Sequence, residues 1–193
     1  MPPHQLDVPA LPILLPLGGV LMLLSLLLLH RRGMLTARRL ATAWFAGWYA
    51  VAVIGATLLP LHLSWGPGAG RPELYRIIII PLTTMRVDDF LLNIIMTLPL
   101  AAVLLLVFGI RSRQSVVRVG FTISLVIEVT QLVLLLAWHG LRWADTNDLV
   151  SNTLGALLGY LALRRALDTE PVRRMLPDFS LVRTEVAQRE PVR

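Results

Sequence analysis

Two polar residues, Glu128 and Gln131, interrupt the otherwise apolar run ISLVIEVTQLVLLL. Their i, i+3 spacing puts both on one face of a helix. A carboxylate among hydrocarbon side chains is costly, so it points to a group with a job: a hydrogen-bond acceptor for a ligand, a general base, or a proton carrier. A buried hydrogen bond that fixes helix packing is the competing reading, and the pair alone does not decide between them. A second group follows in RWADTNDLVSNTLG, with Arg142, Asp145, Asp148 and Asn152. Capping of free amides at a helix start accounts for one of the two aspartates but not both. If a helix begins near Asp145, then Asp148, Asn152, Gly155 and Gly159 form one stripe, and the two glycines make a small-xxx-small surface for close helix packing. Arg142 reads as an exposed charge in ion-pair reach of Asp145 or Asp148. Asn93, shortly after Asp88 and Asp89, is a third polar group, about one turn into another helix.

Much chemistry is absent from the chain. It has no cysteine, which excludes disulfides, thiolate metal sites and thiol nucleophiles. None of its four histidines is paired at ligand spacing, so no metal site and no cofactor are assigned. His139, beside Gly140, reads as a loop residue. There is no phosphate-binding glycine loop, nucleophile elbow or dinucleotide fingerprint, and no catalytic residue is assigned.

The elements that must carry these residues are membrane helices. Hydrophobic residues make up 55% of the chain and charged ones only 16%, far from the balance of a soluble domain. Mainly apolar runs near the roughly 20 residues needed to span a bilayer occur at about 11–29, 40–61, 90–110, 116–138 and 149–163. The expected architecture is an all-α, polytopic transmembrane helix bundle of about five spans. Residues 1–10 form a short extracytoplasmic N-terminus, 11–163 the bundle, and 164–193 a polar tail in the cytoplasm, mostly disordered from Asp168 onward. The segment 77–87, which opens with the apolar run IIIIPLTTMR, is too short to span and reads as interfacial or re-entrant. Trp44, Trp48, Trp138 and Trp143 read as interfacial anchors near span ends.

Arginine placement sets the direction. All 18 basic residues are arginine. Fourteen fall between spans one and two, between three and four, or after span five, and four fall on the other side. The positive-inside rule then puts the N-terminus outside and the C-terminus in the cytoplasm of a multi-pass plasma-membrane protein. Asn93, Glu128, Gln131, Arg142, Asp145, Asp148 and Asn152 lie toward the outward end, with Glu128 about ten residues, or roughly 15 Å, deep. Direct contact of Glu128 with the shallower groups needs a tilt, a kink or water. Phospholipid head groups suffice as partners for the cytoplasmic arginines, and nucleic acid is not implied.

The runs DDFLLNIIMTLPLAAVLL, SLVIEVTQLVL and RWADTNDLVSNTLGALLGYL together resemble the VanZ-like family of bacterial membrane proteins. The order of Asn93, Pro99, Glu128, Gln131, Arg142, Asp145, Asp148, Asn152 and Gly155 carries the resemblance, over about 88–163. Thr97-Leu98-Pro99-Leu100 departs from it by lacking an aromatic residue and a glycine around the proline. The resemblance implies a cell-envelope protein, in a family whose named member lowers susceptibility to teicoplanin-type glycopeptide antibiotics.

Three functions follow. The favoured one is a protein without demonstrable catalysis that binds a lipid-linked or amphiphilic ligand at an outward-facing polar site, such as a lipid-linked cell-wall intermediate or a glycopeptide. Arg142 would meet an anionic head group there, while Asp145, Asp148 and Glu128 accept hydrogen bonds. An alternative is a membrane-embedded enzyme acting on a lipid head group with carboxylate acid/base or metal assistance. Another is a transporter using Glu128, for which a homo-oligomer could supply further helices.

Overall fold

The structure, a computed structural model, describes residues 2–82 and 84–182. Its seven α-helices, among the described residues, are α1 (Leu11–Arg31), α2 (Ala37–Leu58), α3 (Val87–Thr97), α4 (Leu100–Phe108), α5 (Arg113–Trp138), α6 (Thr146–Leu167) and α7 (Glu170–Phe179). The chain is an all-α membrane bundle. Among the described residues, four stretches are long and apolar enough to cross a bilayer: Leu11–Arg31, Ala37–Leu58, Val87–Phe108 and Arg113–Trp138.

The third stretch is broken. Pro99 has no amide hydrogen for the helix ladder and its ring crowds the preceding turn, so α3 stops at Thr97 and α4 starts at Leu100. The break faces α6. A Cβ added at Gly159 would lie 2.1 Å from the Leu98 carbonyl oxygen, and one at Gly155 would lie 2.0 Å from Thr97 Oγ1. Only glycine lets the two backbones approach this closely. On the far side of α6, Ala156 fills the notch at Gly120 of α5. Leu100, Ala101, Leu104, Val116 and Ala156 form the apolar core at this junction.

α6 packs against α3, α4 and α5. It runs antiparallel to α5, with Asp145 level with Glu128, Asn152 with Ser124, and Ala156 with Gly120. Its start therefore sits about ten residues below the end of α5, or roughly 15 Å. This corrects the expected depths, because Asn152 lies below Glu128 instead of one turn in. It also explains why the fifth span is too polar to pass as a crossing helix on composition alone. Between the end of α5 and that start the chain is largely non-helical, which at membrane depth is tolerated where protein covers it or it lines a cavity.

Two small sheets complete that end. The first ten residues are not merely a tail: β1 (His4–Val8) pairs antiparallel with β2 (Leu61–Trp65), and His62 Nδ1 lies 2.6 Å from Asp7 Oδ1. β3 (Ile77–Ile78) pairs parallel with β4 (Ala144–Asp145). His139 takes the left-handed conformation that ends α5, and its Nδ1 lies 2.8 Å from the Ser64 carbonyl oxygen. Trp44 and Trp48 both contact the first helix. They sit within α2 against α1, where Trp44 Nε1 donates to the Met22 carbonyl at 3.3 Å and the Trp48 ring occupies the space a Cβ at Gly18 would take.

The expectation of disorder beyond Asp168 fails for α7. Val172, Met175, Leu176 and Phe179 recur at helical spacing within a charge-rich segment, and such an amphipathic face can dock despite polar composition. α7 packs on α2 and α6, and Arg38 pairs with Asp178 and lies 5.9 Å from the centre of the Phe179 ring. The remaining tail, 183–193, lies outside the described residues.

Candidate functional site

A cavity of about 1110 Å³ opens where α3, α5 and the recessed start of α6 meet. All seven residues singled out from the sequence line it: Asn93, Glu128, Gln131, Arg142, Asp145, Asp148 and Asn152. The recess of α6 brings them together. Because Asp145 descends to the level of Glu128, its backbone amide donates to Glu128 Oε2 at 2.7 Å, and no bridging water is needed. Asp145 also caps α6, accepting from the Asn147 amide at 2.7 Å. Asn93 of α3 hydrogen-bonds to the Asp148 side chain.

Deeper in the wall, Asn152 donates through Nδ2 to Ser124 Oγ at 3.0 Å, and Gln131 donates through Nε2 to the Thr57 carbonyl of α2 at 2.8 Å. Four of the lining side chains hold a buried polar atom without a partner: Glu128 Oε1, Gln131 Oε1, Asn152 Oδ1 and Asn147 Nδ2. Buried polar groups are normally satisfied, and each exception costs on the order of 1–3 kcal/mol. Such a cluster marks a wall with unused hydrogen-bonding capacity.

Arg142 departs from expectation. Its guanidinium donates to the Leu59 carbonyl just beyond the end of α2, and it makes no ion pair with Asp145 or Asp148. The physical reason is position: the chain descends from Arg142 to Asp145, which carries the two aspartates toward Glu128, while Arg142 stays beside the exposed end of α2. It is a half-buried strut and not the free charge its loop suggested. The other lining arginine, Arg86, pairs with Asp88 and Asp89 at 3.3 and 3.1 Å. Glu128, Asp145 and Asp148 thus have no ion-pair partner among the described residues.

The cavity also has an apolar side, formed by Ile77, Ile79, Ile80, Phe90, Leu92 and Ile95. The 77–82 segment lies over the site. The Thr146 hydroxyl is shared between the Ile78 and Ile79 carbonyls at 3.1 and 3.0 Å, and the Leu82 amide donates to Asn147 Oδ1 at 2.6 Å. Ile79, Ile80, Leu92 and Ile95 are all exposed, so this side faces hydrocarbon in a membrane. Above it, Arg76 pairs with Glu73, donates to the Leu141 carbonyl at 2.9 Å and stacks over Tyr75 and Trp143. Hydrogen bonds from Tyr75 and Arg76 hold the Glu73 carboxyl below its ordinary range.

Asn147 and Ser124 are lining or supporting residues that the sequence reading passed over. A signal for Ser124 existed: Gly120, Ser124, Glu128 and Gln131 follow at i+4, i+4 and i+3 along α5. Asn147 and Ser151 make a similar i, i+4 pair, and both are buried. Among the described residues no group of three or more His, Asp or Glu side chains is disposed to hold a metal ion.

The wall can therefore accept hydrogen bonds at its floor and shelter a hydrocarbon chain along one side. No curated protein and no solved structure matches the chain. The VanZ/LLP1 family model matches residues 46–167, reaching well beyond the 88–163 region that carried the resemblance and including most of α2. With most of its length matched, including every residue of the cavity floor, the chain belongs to the VanZ/LLP1 family of membrane proteins.

Proposed function

We propose that this membrane protein of the cell envelope binds a lipid-linked or amphiphilic ligand in the polar cavity, with that cavity opening toward the outer leaflet. The observation that carries the reading is a single cavity with polar atoms lacking partners on its floor and an exposed apolar flank. Its volume is at the upper end of ordinary ligand pockets, which run to roughly 1,000 Å³. Outward orientation is supported by arginines gathered at the opposite end, including Arg31, Arg38, Arg113, Arg118, Arg164 and Arg174. A link to glycopeptide susceptibility belongs to the same reading and rests on family membership.

The test is purification in a mild detergent followed by mass spectrometry of co-purifying amphiphiles. Wild-type protein should retain one class of molecule enriched over bulk lipid, and Glu128→Gln or Gln131→Leu should lose it. Identical lipid profiles in wild type and variants would sink the proposal. Orientation is tested separately with alkaline phosphatase fusions, which should be active when joined after Pro67 and inactive after Arg165. Activity of both, or of neither, would mean that α6 does not complete a crossing.

A further inference from the structure

The binding proposed above leaves open what kind of head group the cavity takes. The hydrogen-bond partners already present narrow it. A backbone carbonyl only accepts, so Gln131 must present Nε2 to the Thr57 oxygen, which leaves its Oε1 free. Ser124 has one hydroxyl hydrogen, directed at the Asp148 carbonyl 3.4 Å away, so it accepts from Asn152 Nδ2 and leaves Asn152 Oδ1 free. Glu128 Oε2 is held by the Asp145 amide, leaving Oε1. The Leu82 amide only donates, so Asn147 presents Oδ1 to it and keeps Nδ2. The balance is three free acceptors to one free donor.

Charge points the same way. Of the two arginines in the wall, Arg142 is engaged by Leu59 and Arg86 by Asp88 and Asp89, while Glu128, Asp145 and Asp148 have no cation beside them. The start of α6 would ordinarily attract an anion. Here the amides of Asp145 and Asn147 already donate to the protein's own carboxylates. A guest phosphate would find one guanidinium without a carboxylate partner, that of Arg142, and none of these amides, and it would meet a cluster of three carboxyl groups that outnumbers that cation.

Resting on the amphiphile-binding reading, we infer that the head group is a multiple hydrogen-bond donor without negative charge, either a sugar-type polyol or a primary ammonium, and not a phosphate. Gln131, Asn152 and Asn147 are 6%, 3% and 2% exposed. All three line the cavity, so a guest that reaches their free atoms exchanges an unmet bond for a met one. The guest's chain leaves between the exposed Ile79, Ile80, Leu92 and Ile95 side chains.

The experiment uses the full chain in phosphatidylcholine nanodiscs, with native mass spectrometry reading the occupancy of three probes that share one alkyl chain: dodecyl maltoside, dodecylammonium and dodecyl phosphate. At least one of the first two should bind about tenfold or more tighter than the phosphate. Binding by maltoside alone assigns a polyol, and binding by ammonium alone, weakened by salt, assigns an amine. Glu128→Gln with Asp148→Asn removes two carboxyl groups while keeping acceptor oxygens and should narrow the gap to about threefold or less. Asp148→Asn alone, the milder change, should give an intermediate ratio. Dodecyl phosphate binding as tightly as the other probes overturns the inference but leaves an amphiphile site. Binding of no probe above the level in empty nanodiscs overturns both.

Discussion

α1 and α6 differ by one residue in length, at 21 and 22, yet their environments are opposite. α1 is strongly apolar, with leucine at 11 of its 21 positions, and only Gly18 and Leu29 are buried. α6 is far more polar and buries Asn147, Ser151, Asn152, Gly155, Ala156 and Gly159 against three helices. In water the order would reverse. In a bilayer, lipid solvates leucine as well as protein does, so apolar content gives a helix no reason to seek the interior. Polar side chains have no partners in hydrocarbon, and small residues permit the close approach that supplies van der Waals contact. The apolar helix consequently borders the bundle, and the polar one is enclosed and lines the site.

Glycine substitutions test this contrast most severely. Gly155→Leu must displace Thr97 Oγ1 and the Ile94 backbone, and it should lower stability in detergent by about 3 kcal/mol or more, toward or beyond the upper end of overpacking costs. On α1 a Cβ added at Gly19 meets nothing within 4 Å, so Gly19→Leu should cause no loss and gain up to about 1 kcal/mol from helix propensity. Comparable losses in thermal unfolding would mean that α1 is as enclosed as α6.

A smaller effect separates two arginines. Arg142→Ala removes a charge-assisted bond to the Leu59 carbonyl and should lower stability by about 1.5–3 kcal/mol. Arg31→Ala, at the exposed end of α1, should stay within about 0.5 kcal/mol. If the two variants melt alike, Arg142 is the free loop charge that its sequence context suggested.

Among the cavity residues tested, the smallest expected change in stability accompanies Glu128→Gln. A side-chain oxygen still accepts from the Asp145 amide, so unfolding should shift by no more than about 1 kcal/mol while ligand retention falls. A large loss of stability with ligand retained would assign Glu128 to packing and leave the enclosed polarity of α6 without a binding role.

Much of the frame was legible in the residues themselves. Mainly apolar runs of spanning length mark the helices, because hydrocarbon thickness sets a minimum length that composition can meet or fail. The stripe through Asp148, Asn152, Gly155 and Gly159 states its packing face, since helical periodicity is a local property. α7 was hidden because its apolar period lies within a segment whose average composition reads as solvated.

Depth and pairing were decided only by the tertiary structure. Nothing local in RWADTND says that α6 begins about 15 Å below the end of α5, because that depends on glycines at 155 and 159 seating α6 against the Pro99 break of another helix. The same descent parts Arg142 from the two aspartates and brings Asp145 to Glu128. Residue types and their order set which polar groups the membrane must conceal, while the packing of distant backbones sets which of them meet, because a hydrogen bond depends on ångström-scale position that sequence spacing does not carry across a loop.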